Sequence, residues 1–579
     1  MDGLARGAVL ALGLALTASG CGEGEGPIGG PGGRDGVELR YRTPRLQVFP
    51  VGSSSQAVLS FVARREAEDG GAEPWPGVAF EVRREKGAAE PAASRVVTDS
   101  QGVATVRVTT PGSADQTRIE FVLEGDRRQH LPFDVVSATT RDVDLDVGEI
   151  EEIEPPGEGV LLRFEIEPGE EIALIPYQLD AERSGGSYRF LQQSPELDPA
   201  SVAFGVEPPA VPRTRPEVRV HDRGHVEPGT FDSGELTPAG LPASLDIRSC
   251  RIDASRQAPL RYVGQRVALY VDVPPGESQA RIDSIGRTFD DRIFPTNTEV
   301  FGETTDLDDN GVVQVVMTPA LEQQGGVYCD ALRSISAERF YTAWNPTDPI
   351  DVPLATLAHE HQHVINAGHH LRTRGGIGDD RWVNEGLSFV AEVLNGFWRT
   401  PLVRVWLFLG GQNGGMSMLP FDYRAVYADE YQMFFLYLGD RFGRDVYRRL
   451  GTSGRTGVGN VQAVVGMPFD SLVRDWLVAS GVGGHGTLRS SRFHYTTVDL
   501  GGMSEEIAAC ECLPEDRFDG MTLEPLNLEN PFDVFRSMEG YDADYYVLNP
   551  PEGAPARRYE IYFDVFRGRS TNLAIARLR

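Results

Sequence analysis

The sequence predicts a multidomain chain. A β-sandwich and a further β-rich region come first, then an α+β domain whose C-terminal half is mainly helical, and last a small C-terminal β-domain. Three observations point there. At 579 residues the chain exceeds the roughly 250–300 residues at which a single hydrophobic core stops growing, so three or four domains are expected. Its 40% hydrophobic and 24% charged residues are the balance of a chain that buries cores. The period of its apolar residues also changes along the sequence, from two to a mixture of two and 3.6.

Short alternating runs such as Gln56–Val62 and Val78–Val82, punctuated by Gly and Pro, predict strands over 37–145. A second stretch, 146–255, is β-rich, with strands expected at Val160–Ile166 and Glu171–Ile175. From 256 the pattern becomes a strand at Arg266–Val273, a helix at Ala280–Phe294 and a buried strand at Val312–Met317. Helical spacing dominates from Pro353 to about Ser480, and alternation returns over 486–579, as in Tyr545–Leu548 and Tyr559–Phe566.

A formal net charge of -30 disfavours phosphate backbones, so nucleic acid is not an expected partner. Its simpler consequence is a soluble surface. Residues 1–21 carry Arg6, an apolar stretch from Gly7 to Ala18, and Ser19-Gly20-Cys21, the layout of a signal peptide. That stretch falls short of the roughly 20 residues that span a bilayer. The small residues before Cys21 resemble the lipobox of bacterial lipoproteins, although Ala18 stands where Leu is usual. The resemblance implies a lipidated Cys21 anchoring the chain to the bacterial cell envelope, with secretion as the alternative. Residues 22–36, nearly all Gly, Pro and acidic, are expected to be a flexible tether. The remaining cysteines, Cys250, Cys329, Cys510 and Cys512, are even in number, so one or two disulfides of unassigned connectivity are expected in an exported protein.

The segment that carries chemistry is Leu354-Ala-Thr-Leu-Ala-His359-Glu360-His361-Gln362-His363-Val-Ile. On a helix, His359 and His363 are one turn apart on one face, where both imidazoles reach one zinc ion. Glu360 sits beside that face, placed to take a proton without being a ligand. His361 points away, as a supporting or surface histidine. A catalytic zinc needs a third protein ligand, and Asp379-Asp-Arg-Trp-Val-Asn-Glu385-Gly-Leu-Ser-Phe-Val-Ala-Glu392 offers Glu385 near the start of an amphipathic helix. Glu392, two turns on, either supports a ligand histidine or faces solvent. Asp306, Asp308, Asn310 and Gly311 match the first half of a calcium loop, but Met317 occupies its twelfth position, and such a turn needs no metal.

H-E-x-x-H followed by W-x-N-E-G resembles the gluzincin zinc metallopeptidases, and the fuller pattern, H-E-x-Q-H-x-I-N with W-x-N-E-G-L-S-x-x-A-E, is most similar to the hyicolysin-like neutral metallopeptidases. The resemblance implies a zincin-type catalytic domain over 256–485. It also implies His359, His363 and Glu385 as zinc ligands, Glu360 as general base, Tyr427 or Tyr431 as oxyanion donor, and protein or peptide substrates cut internally. Thr98-Asp-Ser-Gln-Gly-Val-Ala-Thr-Val resembles the signature of bacterial immunoglobulin-like domains, which implies a spacer or an adhesion module over 37–145. Two rivals remain: a non-catalytic adhesion or scaffold lipoprotein, and a zinc hydrolase of non-peptide amides.

Overall fold

The computed structural model describes residues 37–52, 55–67, 71–155, 159–179, 186–192, 241–247, 257–273, 279–321, 326–327, 337–375, 378–397, 401, 404, 405, 408, 428–498, 523–529, 532–538, 541–550, 556–566 and 571–579. The signal segment, the tether, all five cysteines and Tyr427 lie outside them. The described residues divide into two compact units, 37–139 and 140–579. It is β-rich toward the N-terminus, then helical, with a further β region at the C-terminus.

The first unit is a β-sandwich. One sheet pairs Val37–Tyr41 and Val103–Thr109 with opposite edges of Gln56–Glu66. The other pairs Asp115–Leu123 with Ala79–Lys86 and His130–Val143. Alternate residues of both sheets fill one core, in which Phe61, Phe80 and Phe121 meet edge to face at 4.8 and 4.9 Å. The Thr98–Val106 motif has a local reason. Asp99 Oδ1 accepts the amides of Gln101 at 2.8 Å and Val103 at 2.9 Å. Gly102 turns at φ +72, where an added Cβ would lie 2.5 Å from the Ala63 carbonyl.

In the second unit, strands before and after the helices interleave. Val160–Ile166 pairs with Arg557–Phe566, which also pairs with Gly186–Gln192. Ile172–Gln178 lies between Thr571–Arg577 and Tyr546–Leu548. The stretches expected at 146–255 and 486–579 therefore share sheets, a pairing of residues about 400 positions apart that no local pattern encodes. Ile172–Gln178 is buried throughout. Ile172 and Leu174 join the core between the strands, while Ala173, Ile175 and Tyr177 join the core of the helices. Its apolar run is thus that of a strand covered on both faces.

A mixed sheet follows, with Val267–Val271, Val313–Thr318 and Arg339–Ala343 in parallel. Helix α1 (Gln279–Thr288) continues through a wider turn, Phe289–Ile293, into α2 (Phe294–Phe301). The long helix α3 (Asp351–Arg374) precedes α4 (Arg381–Leu394), α5 (Ala428–Phe442), α6 (Asp445–Thr452), α7 (Gly457–Val465) and α8 (Phe469–Val482). Helix α3 is buried on both sides: Leu354, Leu357 and Val364 pack with the sheet, and Ile365 packs with the helical core. That position, between a sheet and a helical lobe, carries the histidines into the interior.

Candidate metal centre

Helices α3 and α4 bring three of the expected residues together. Ligand atoms of His359, His363 and Glu385 all lie within 4.8 Å of one another. The two imidazoles are 4.9 Å apart between centroids, as residues one helical turn apart should be. Glu385 Oε2 lies 3.4 Å from His359 Nε2 and 3.8 Å from His363 Nε2. Two ligands bound at roughly 2.0–2.1 Å to a tetrahedral ion lie about 3.4 Å from each other. The donor set and its spacing therefore fit zinc, with small adjustment at His363.

The outer nitrogen of the His359 ring is fixed. His359 Nδ1 is 2.9 Å from Oε1 of Glu392, a residue buried to 2% exposure, so the ring donates there and keeps Nε2 turned toward Glu385. The sequence left Glu392 between a supporting role and a solvated face, and the contact and burial select the supporting one. Ser388 Oγ lies 2.5 Å from Gln362 Oε1, to which it donates, and along the edge of the His363 ring, 3.0 Å from Nδ1 and 3.3 Å from Nε2. Ser388 was not singled out from sequence. Its place one turn after Glu385 was the available signal. Arg404, which gives two hydrogen bonds to Glu392 at 2.9 and 3.1 Å, carried none.

The electrostatics favour a cation. Burial works against charge on His359, yet hydrogen bonds to Glu385 and Glu392, with Glu360 nearby, outweigh it and push its pKa up to about 10. Burial would raise Glu385, but the His359 hydrogen bond and both imidazoles hold it down at about 2. His363, dominated by burial, falls to about 4 and is neutral. The carboxylates of Glu385, Glu392 and Glu360 thus surround the His359 imidazole. Glu360 is buried at 4% exposure on the same helix turn as His359.

Other expected residues fall elsewhere. His361 is fully buried, not on the surface. It stacks on Phe294 at 5.2 Å, and Thr304 Oγ1 lies 3.0 Å from its Nε2. The side opposite the ligands on α3 faces α2 and not solvent, and burial lowers the pKa of His361 to about 3. Tyr431 is 1% exposed in the helical core against Trp382, 6.5 Å away. Asp306 and Asp308 gather with buried Glu338, and Asn310 Nδ2 donates to Asp308 Oδ2 at 2.7 Å. Asp306 Oδ1 caps the amides of Asn310 and Gly311, and Glu338 accepts Thr305 Oγ1 at 2.6 Å. The carboxylates thus cap the turn, and their oxygens lie close enough together to hold a cation.

No family model matches the chain. Among curated proteins, it is similar to the neutral metalloprotease ShpI of Staphylococcus hyicus, at 26% identity over 204 residues, 31% of this chain and 46% of that protein. The chain thus spans about half the length of that relative. Similar solved structures include the D00-D0 domain of intimin, at 15% identity over 17% of this chain and 45% of that chain with a TM-score of 0.14. WR4, a C. elegans MSP family member, is 12% identical over 17% of this chain and 97% of that chain, also with a TM-score of 0.14. At these scores neither bears on fold or function. No helix among the described residues is long and apolar enough to cross a membrane.

Proposed function

We propose that the chain is a zinc-dependent metallopeptidase that hydrolyses internal peptide bonds of proteins. The observation that carries this reading is the convergence of His359, His363 and Glu385 from two helices, with Glu360 one residue along from His359. The partial likeness to a neutral metalloprotease supports the same reaction class. A zinc ion held by these three residues would supply an acidified water, of pKa about 7, and a polarised carbonyl. Glu360 would accept a proton from that water and return it to the leaving amine nitrogen. Glu392, at the Nδ1 side of His359, would hold the Nε2 of that ring toward the ion. An oxyanion donor completes such a site, and Tyr427 and Tyr431 are the candidates.

Around this centre we assign residues 256–485 a zincin-type fold and the first sandwich the role of an immunoglobulin-like spacer. Export and a lipid anchor at Cys21 at the cell envelope, or else secretion, complete the reading. Mass spectrometry of the mature N-terminus tests the anchor. The decisive experiment compares zinc content and casein cleavage of the purified chain with Glu360→Gln. Both proteins should bind about one zinc, and only the parent should cleave. A parent that binds zinc yet cleaves no protein or peptide transfers the site to a scaffold or a non-peptide amidase, and a parent that binds no zinc removes the site altogether.

A further inference from the structure

We infer that Arg404, braced by Gln432, is a positioning residue for the metal centre that acts through Glu392; the inference rests on the zinc reading above. Arg404 lies twelve residues beyond Glu392, outside both motif helices. Its guanidinium forms a two-pronged pair with the Glu392 carboxylate, Nη1 to Oε2 at 2.9 Å and Nη2 to Oε1 at 3.1 Å. Oε1 is also the atom 2.9 Å from His359 Nδ1. One carboxylate oxygen is therefore shared between the guanidinium and the ligand imidazole, so the rotation of the carboxylate sets the rotation of the ring.

The arginine is itself held from three sides. Its cation sits 4.0 Å over the Phe389 ring, which packs 5.1 Å from His359. Gln432 Oε1 accepts a further hydrogen bond from Nη1 at 3.1 Å. The other end of that amide donates to the Pro401 carbonyl at 3.2 Å, and Gln432 is fully buried on α5. The segment carrying Arg404 is thereby tied to a helix of the core. A carboxylate as buried as Glu392 is strongly penalised without a charge partner. Arg404 is the charge partner in direct contact with Glu392 and holds it against His359. Lysine supplies the charge but neither the fork nor the flat face over Phe389.

Zinc affinity of the full chain, measured by competition with a chromogenic chelator, tests this on the parent, Arg404→Lys, Arg404→Met, Glu392→Gln and the double variant Arg404→Met/Glu392→Gln. Arg404→Met should weaken zinc binding by about 10- to 100-fold, the range for outer partners of metal ligands, and Arg404→Lys by less. Because Arg404 acts through Glu392, the double variant should bind no more weakly than Glu392→Gln alone. Melting of each metal-free protein separates this from a structural role, which would lower the metal-free midpoint and leave the zinc affinity of the folded protein unchanged. Parent-like zinc affinity in folded Arg404→Met, or in Arg404→Lys should the former fail to fold, overturns the assignment of Arg404 alone; a parent without zinc affinity overturns the zinc reading as well.

Discussion

Replacing Gly386 by alanine should loosen the candidate metal centre without touching a proposed ligand. Gly386 follows Glu385 on α4, and an added Cβ would lie 2.2 Å from Phe435 Cδ2 and 2.4 Å from Cε2. Ordinary contact begins near 3.4 Å, so α4 or the ring must give by about 1 Å. The ring has nowhere to go: Phe435 is fully buried, with Trp382 at 5.7 Å and Phe434 at 5.5 Å. Alanine gains about 0.8–1.0 kcal/mol in helix propensity over glycine, but overpacking costs about 1–3 kcal/mol. The balance is a net loss on the order of 1 kcal/mol. The effect on metal binding should be larger, because ligand distances tolerate only about 0.2 Å and Glu385 moves with its neighbour. Zinc affinity should fall at least about tenfold, and Phe435→Leu added to Gly386→Ala should recover part of it. Melting of the metal-free protein and zinc competition measure the two quantities. A variant as stable as the parent, with parent-like zinc affinity, would refute the claim that close packing of α4 on α5 places Glu385.

Three further outcomes follow from the geometry. Asp544, buried where its carboxylate receives the Tyr188 hydroxyl at 2.5 Å, has its pKa raised by burial from 3.8 to about 6. The folded state therefore holds that proton more firmly, and stability falls as pH rises from about 4 to 6 by about 3 kcal/mol; Asp544→Asn should match the parent near pH 4 and exceed it at pH 7 in urea unfolding, and a difference independent of pH would contradict this. Asp475, 1% exposed, holds Arg441 at 2.7 Å, Arg474 at 2.9 Å and Arg492 at 2.5 Å, so Asp475→Ala should destabilise the helical lobe by about 3 kcal/mol in thermal or urea unfolding. Zinc at about 100 times its dissociation constant should stabilise the parent by about 2.7 kcal/mol, an increment that a chelator or Glu385→Ala removes, as calorimetry would show.

The histidine pair was legible because α3 is a regular helix: a spacing of four fixes an angle whatever surrounds it. Strands at Val160–Ile166 and Val267–Val271 were legible for the same reason, since period and apolar run length are local. His361 was misjudged in part because helical geometry gives direction but not what lies in that direction, and here the packing of Phe289 and Phe294 fills it. Gly386 could be read as part of a motif, but the ring that forbids a side chain there belongs to another helix.

By itself, the sequence determined the chemistry available on each element: two imidazoles one turn apart, a carboxylate beside them, a second helix with Glu385 near its start, and sandwich strands by their period of two. Only the tertiary structure decided which carboxylate meets which ring, that Arg404 stands behind Glu392, and that strands at Val160–Ile166 and Arg557–Phe566 pair in one sheet across the intervening helices. The physical reason is range. Backbone periodicity acts over one or two turns, whereas burial, charge compensation and sheet pairing depend on segments far apart in sequence that meet only when the core is formed.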